Sequence, residues 1–387
     1  MPQLAEKKKC TGCTACASIC PQNCLTMEPD EDGFAGPVLT APDVCVNCRL
    51  CEQVCPVLQR APVLPKPNAL AAMSRDDAVR RSSSSGGVFT ELARAVLGKG
   101  GVVFGAAYDD SFRVVHMCAD TEEGIAALRG AKYAQSDLKG IFPQVRERLE
   151  RGQWVLFTGT PCQVGGLRSY LRRDYEKLLC VDFVCHGVPS PLAWKRYVEL
   201  LTLDGPLKSI DLRCKETGWS RYRYSNTFLY QNGTKKQIPS GSSLYMRLFV
   251  GDHINRPSCQ NCSFKRTGRI SDMTLGDFWG IWEIAPEMDD DRGTSLVLVQ
   301  TEKGRQLLEQ IRDRLVVQEV SLADAVRYNP SALFSSPAGP LRKPVMELVR
   351  SGRIDVCAEL LGRYRPDPLQ RVFRKVGKIL QLLRRKR

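Results

Sequence analysis

Histidine is nearly missing, with His116, His186 and His253 the only three in 387 residues. Imidazole acid–base chemistry therefore has few groups to draw on, and His186, beside Cys185, reads as a hydrogen-bonded structural residue. Long apolar runs are missing as well. Nothing approaches the roughly 18 apolar residues that a membrane span needs, and the opening Met-Pro-Gln-Leu-Ala-Glu-Lys-Lys-Lys has no signal-peptide core. The expected compartment is the cytoplasm. Familiar nucleotide signatures are absent, neither G-x-G-x-x-G nor G-x4-G-K-[ST] being found. Acid is scarce mainly at one end. Residues 371–387 hold eight Lys or Arg and no acid, so most of the formal charge of +14 lies there. The remaining body is mildly basic, which excludes a nucleic-acid binder with one broad cationic face.

Cysteine is abundant, at 17. Cys10-Thr-Gly-Cys13-Thr-Ala-Cys16-Ala-Ser-Ile-Cys20-Pro21 is answered by Cys45-Val-Asn-Cys48-Arg-Leu-Cys51-Glu-Gln-Val-Cys55-Pro56. Both read C-x2-C-x2-C-x3-C-P, the spacing of two 4Fe–4S clusters with crossed fourth ligands. Three thiolates on a tight loop reach three corners of one cube, and the fourth points to the other. One cluster is expected on Cys10, Cys13, Cys16 and Cys55, the second on Cys45, Cys48, Cys51 and Cys20. Zinc knuckles or disulfides would have no use for the crossed ligand or the proline. Cluster spacing also points to a reducing compartment.

Prolines 62, 65 and 67 follow, suggesting a stiff linker. We expect a ferredoxin-like domain at 1–58, a linker at 59–79, the two parts of an α/β domain at 80–160 and 161–320, and a helical basic tail at 321–387. Strands alternate with helices from 80 to about 200, which implies a mostly parallel sheet. The texture then turns antiparallel, with a hairpin at Asn232-Gly233. In the tail, Leu369, Phe373, Val376, Leu380 and Leu383 share one helical face with arginines opposite. Such a face suits an anionic membrane surface, a partner protein or its own domain.

Two further constellations carry chemistry. Ser82-Ser-Ser-Ser85-Gly86-Gly87 opens a helix, where free N–H groups suit a pyrophosphate or serve as an ordinary cap. Lys132, Tyr133 and Ser136, in Gly130-Ala-Lys-Tyr-Ala-Gln-Ser, would supply a cation and a ring, or form a surface turn. Cys162 and Cys185 each follow a predicted parallel strand, at the sheet edge where ligands bind. With the C-x2-C pair Cys259 and Cys262 they make four thiols, enough for another cube or a zinc, unless they are simply buried apolar residues. The five other cysteines, Cys24, Cys118, Cys180, Cys214 and Cys357, read as structural.

Taken in order, Ser85-Gly86-Gly87, Ala131-Lys132-Tyr133, Gly159-Thr-Pro-Cys162-Gln163, Cys185-His-Gly-Val-Pro-Ser190, Cys259-x2-Cys262 and Gly276-Asp-Phe-Trp-Gly280 resemble the beta subunits of coenzyme F420 hydrogenases and dehydrogenases, in their ferredoxin-fused branch. The resemblance covers residues 1 to about 320. It implies FAD lined by Ser85, Gly86, Gly87, Lys132, Tyr133 and Ser136, and a third 4Fe–4S cluster on Cys162, Cys185, Cys259 and Cys262. It further implies a cytoplasmic oxidoreductase exchanging electrons with a ferredoxin-like carrier or a partner redox enzyme. The Cys185-His-Gly-Val-Pro-Ser form is similar to that of bacterial homologues often linked to surface-polysaccharide genes. The expected substrate is therefore a coenzyme F420-type deazaflavin or another small organic molecule. The alternative is a non-catalytic electron-transfer subunit serving a partner enzyme.

Overall fold

The computed structural model describes residues 2–59, 62 and 64–364. The proposed basic face beyond Tyr364 lies outside them. Two cysteine-rich loops flank the hairpin of β1 (Leu25–Pro29) and β2 (Ala35–Leu39). The body is built on β3 (Asn68–Ser74), β4 (Val102–Tyr108), β5 (Val114–Ala119), β6 (Val155–Gly159) and β7 (Leu178–Phe183). It continues with β8 (Leu207–Cys214), β9 (Ser225–Tyr230), β10 (Lys235–Pro239), β11 (Met273–Asp277), β12 (Ser295–Val299) and β13 (Leu315–Val320).

Eight strands form one mixed sheet in the order β13-β3-β12-β11-β7-β6-β4-β5. The α/β expectation stands, but "mostly parallel" is corrected: β4, β6, β7 and β11 are parallel neighbours, and the flanking pairings are antiparallel. The reason lies in the connections. Crossover helices such as Pro161–Leu171, between β6 and β7, allow parallel pairing, whereas the turn at Asp109–Arg113 joins β4 to β5 directly. The expected antiparallel addition is the separate sheet β10-β9-β8.

Residues alternate between two cores. Val103, Leu156 and Leu179 face the helices Val88–Leu97, Glu122–Leu128 and Glu302–Gln310. Val102, Phe104, Val155, Phe157 and Leu178 face Ile141–Glu150 and Pro161–Leu171. Burial on both faces gives these central strands their continuous apolar runs. The second core also contains Cys13, Ala15 and Val54, so the cysteine-rich head shares its apolar interior with the body.

The expected linker at 59–79 needs correction too. Its prolines do precede an extended stretch, but from Asn68 onward the chain is β3, a buried strand paired on both sides. The head is fastened by more than its covalent connection. Asp32 at the hairpin tip pairs with Arg350 (2.6 Å) and Arg342 (3.5 Å), while its carbonyl accepts from the Ser190 hydroxyl. Buried Arg256 donates to the carbonyls of Cys10 (2.7 Å) and Ala35 (2.9 Å).

His116 on β5 stacks on Phe157, and its Nε2 lies 2.9 Å from the Thr158 carbonyl. Its Nδ1 is buried with no hydrogen-bond partner among the described residues. Burial pushes the ring down to about 4 from 6.5. The unfolded chain therefore binds the extra proton first, and stability present above pH 6.5 drains away as pH falls toward 4. The loss should reach about 3 kcal/mol. Urea unfolding followed by tryptophan fluorescence should show a steep pH dependence in this window that flattens in His116→Phe. An unchanged slope would count against this role for His116.

Candidate metal centres and an adjoining cation cluster

The head contains two small cavities of similar size. Cys10, Cys13, Cys16, Cys51 and Cys55 line the first; Cys20, Cys24, Cys45, Cys48 and Cys51 line the second. Cys10, Cys13, Cys16 and Cys55 of the first spacing-based set thus share one cavity and the second set lines the other, with Cys51 on both and Cys24 added to the second. Gly12, Thr14, Asn47 and Arg49 take up left-handed backbone, which tightens the turns of the cysteine loops. Burial pushes the Cys13 thiol up to about 12, with further raising by Cys10 and Cys55. Bare thiolates would repel one another here, and a cationic iron core would relieve that repulsion.

Cys24, read from sequence as structural, has its sulfur 3.3 Å from that of Cys20. The C-x3-C spacing of Cys20 and Cys24 was the signal available for this neighbour.

Two members of the third set stand at the sheet edge. Gly159 of β6 and Asp182 of β7 are register partners. Cys162 and Cys185, each three residues further on, therefore leave adjacent parallel strands at the same level. Thr160 caps the helix Pro161–Leu171 in a capping box with Gln163, and its hydroxyl lies 3.1 Å from the Cys162 sulfur. Cys259 belongs to the short helix Pro257–Asn261, with Cys262 as its cap. This loop is tied to β7 by the buried pair Arg269–Asp182 (3.1 Å). Lys265 donates to the carbonyls of Cys185 and Ser331.

Burial pushes the Cys162 thiol well up, and Cys262, Cys185 and Cys259 each raise it further. Burial likewise takes Cys259 up to about 12, with Cys185 and Cys262 adding to the effect. Four mutually repelling thiols fit a metal cluster. Among the described residues, no three His, Cys, Asp or Glu side chains converge on a point that would hold one metal ion. His186 is structural in its contacts, 2.9 Å from Asp252 and 3.3 Å from the Ser331 hydroxyl.

The residues expected around a flavin separate into two groups. Gly86 and Gly87 have packing reasons of their own. A Cβ on Gly86 would come within 2.7 Å of the Ser295 nitrogen, and Gly87, at φ +88°, lies against Val79 and Ser74. The Gly86 N–H is taken by the Ser295 hydroxyl. Ser136 accepts from Gln163 (2.8 Å), which places it behind the third cysteine site.

Ser85, Lys132 and Tyr133 instead adjoin a set of cations that sequence reasoning missed. Arg129 donates to the Ser82 hydroxyl (2.6 Å), Arg213 to the Ser84 carbonyl (3.4 Å) and Lys215 to the Ser85 carbonyl (2.8 Å). Arg213 is buried, stacks over Tyr224 (3.9 Å), pairs with Asp277 (2.9 Å) and reaches the Tyr133 hydroxyl (3.3 Å). Burial pushes Lys132 and Lys215 each down to about 7, and neighbouring arginines push the same way. Both ammonium groups donate to backbone carbonyls. A bound anion would relieve this crowding, so the donor set fits a diphosphate even though the glycine pair leaves little room beside it.

Next to these cations stand Trp219, Tyr222, Tyr224 and Trp279. Trp219 and Trp279 stack at 5.0 Å, and Tyr222, 53% exposed, lies 4.5 Å from Trp279.

Two family models describe the coenzyme F420 hydrogenase/dehydrogenase beta subunit; the one for its N-terminal part matches residues 69–142, and the one for its C-terminal part matches 152–325. A 4Fe-4S dicluster domain model matches 9–58. The chain is 22% identical to one of the subunits of the F(420)H(2) dehydrogenase of Methanosarcina mazei, over 82% of this chain and 87% of that protein. It is 20% identical to an uncharacterized protein of Methanocaldococcus jannaschii, over 78% and 86% respectively. A chain of the F420-reducing NiFe hydrogenase complex from Methanosarcina barkeri superposes with a TM-score of 0.48 at 18% identity, covering 76% of this chain and 91% of that one. No helix among the described residues is long and apolar enough to cross a membrane. The chain belongs to the family of coenzyme F420 hydrogenase/dehydrogenase beta subunits, as an iron–sulfur electron-transfer protein with a 4Fe-4S dicluster domain at its head.

Proposed function

We propose that this protein is an FAD-dependent oxidoreductase in which electrons pass between a two-electron organic partner and a one-electron carrier through three iron–sulfur clusters. The observation that carries the reading is the course of residues 131–137. Lys132 and Tyr133 border the cation-ringed serine loop, and Ser136 accepts the hydrogen bond from Gln163 beside Cys162. One short segment therefore joins a site suited to a nucleotide diphosphate to a site suited to a cluster. FAD, when bound, supplies the exchange between paired and single electrons. Around it, Arg213, Lys215 and Lys132 would hold the diphosphate, and Ser136, Gln163 and Thr160 would orient Cys162. Tyr222 and Trp279 offer faces for a planar ring.

The second reading is an electron-transfer subunit whose partner enzyme holds the substrate site. The relative from Methanosarcina mazei favours it, since that protein is named as a subunit of a dehydrogenase. The substrate is a coenzyme F420-type deazaflavin or another small organic molecule, and surface-polysaccharide synthesis is one setting for it. Anaerobic purification followed by stopped-flow absorbance separates the readings. Bound FAD should be present, and reduced ferredoxin or reduced coenzyme F420 should bleach it faster than NADH does. Protein that carries full iron and never binds FAD would leave the electron-transfer subunit as the answer.

A further inference from the structure

Helix Pro161–Leu171 carries Cys162 in its first turn and two adjacent glycines in its second. Both glycines are contact points. A Cβ on Gly166 would fall 2.8 Å from the Cβ and 2.9 Å from the sulfur of Cys13; on Gly165 it would fall 2.7 Å from the Phe264 ring and 3.6 Å from Pro56. Cys13 and Cys55, the residue before Pro56, line the first cavity of the head. Phe264 is buried and stands two positions after Cys262. Four residues of helix separate Gly166 from Cys162, a rise of about 6 Å.

A second bridge runs parallel to this one. The Arg256 carbonyl accepts from the Cys259 N–H, while its guanidinium holds the Cys10 carbonyl at 2.7 Å. The second cavity has exposed residues in its lining: Cys48 is exposed there and Val46 is 61% exposed.

We infer that the notch made by Gly165 and Gly166 sets the electron path from the third cysteine site to the first cavity of the head, leaving the second cavity as the exit toward the one-electron carrier. This rests on the reading of the third site as a cluster. Tunnelling falls off exponentially with separation, so any side chain at Gly166 would act by pushing Cys13 away from the helix. Each transfer along the path moves one electron and no proton, and each site loses what the next one gains. For every electron pair the two-electron organic partner gives or takes, two molecules of the one-electron carrier take or give one electron each.

The experiment uses the full chain, prepared anaerobically as the parent, Gly166→Ala and Gly166→Leu, with iron counted in each. In the dithionite-reduced parent, EPR should show magnetic interaction between the third site and the first cluster, and Cys162→Ala should remove it. Gly166→Leu should keep its iron, lose that interaction and slow reduction of the head clusters, with Gly166→Ala intermediate and the second cluster's signal unchanged. Gly36→Leu, which enters open space, should alter neither readout. A parent holding only eight irons, on the basis of four per cluster, would overturn the cluster reading and this path with it. Full iron in Gly166→Leu with interaction and rate unchanged would overturn the path alone, as would equal losses in Gly36→Leu.

Discussion

Anaerobically purified Cys162→Ala protein should hold about eight irons where the parent holds about twelve, with the EPR signals of the head clusters still present. The expectation follows from where the twelve cysteines lie. Eight line the two cavities of the head; Cys162 and Cys185 follow neighbouring parallel strands, and Cys185, Cys259 and Cys262 all act on the Cys162 thiol. Cys162 is the member of this set with the least freedom to be replaced. It stands at the start of a helix whose entry is fixed by Pro161 and the Thr160–Gln163 box, and no other cysteine lies on that helix. Iron analysis together with EPR checks the result. Twelve irons retained in the variant would mean that Cys162 is not a ligand. A parent holding eight irons plus one zinc would mean that the third site is mononuclear.

A large stability effect is expected at Arg213. Replacing it with Met leaves the Asp277 carboxylate without its partner beside a buried surface, and breaking such a pair costs about 3–5 kcal/mol. It also removes the guanidinium stacked on Tyr224 and joined to the serine loop. Arg213→Met should therefore unfold at much lower urea and emerge from purification without FAD. Two companion variants separate these effects. Arg213→Met combined with Asp277→Asn should recover much of the stability without recovering the flavin. Lys215→Met should lose flavin at a smaller cost in stability, because it abandons carbonyls and no carboxylate. Urea midpoints and the fluorescence of released flavin measure both quantities. Full FAD occupancy in Lys215→Met and in the double variant would remove the cation cluster as the diphosphate site.

What could be read from the sequence depended on how local the information was. The ferredoxin-like pattern is legible because three of each cluster's ligands lie on one loop, so spacing alone carries the geometry. Cys162 and Cys185 are legible for a different reason: both follow apolar strands, and parallel neighbours end at the same edge. The cations around Ser82–Ser85 were hidden. Arg213 and Lys215 stand on or just after β8, Arg129 follows the helix Glu122–Leu128, and only the tertiary fold brings them to one loop. The Ser-Gly-Gly turn misled in part, since the Gly86 N–H is already engaged with Ser295 and β3 packs against it. β3 itself was obscured by the three prolines before it, although Ala69-Leu-Ala-Ala is a buried apolar run. The antiparallel flank on the β3 side was illegible because β3 pairs with β12 and β13 across more than 200 residues, beyond the reach of any local signal.

The clasp between Asp32 and the arginines of helix Arg342–Arg350 bears on how the chain matures. The cysteine loops leave the ribosome before the body, and a residue that locks their hairpin in place emerges 318 positions after Asp32. At typical synthesis rates of about 5–20 residues per second, the head spends many seconds without its clasp. Cluster insertion thus has a window during translation in which the cysteine loops are open to iron donors, and equally to oxygen. A nascent chain stalled before Arg342 would present the head in that receptive form, and completion of the last described helices would shut it.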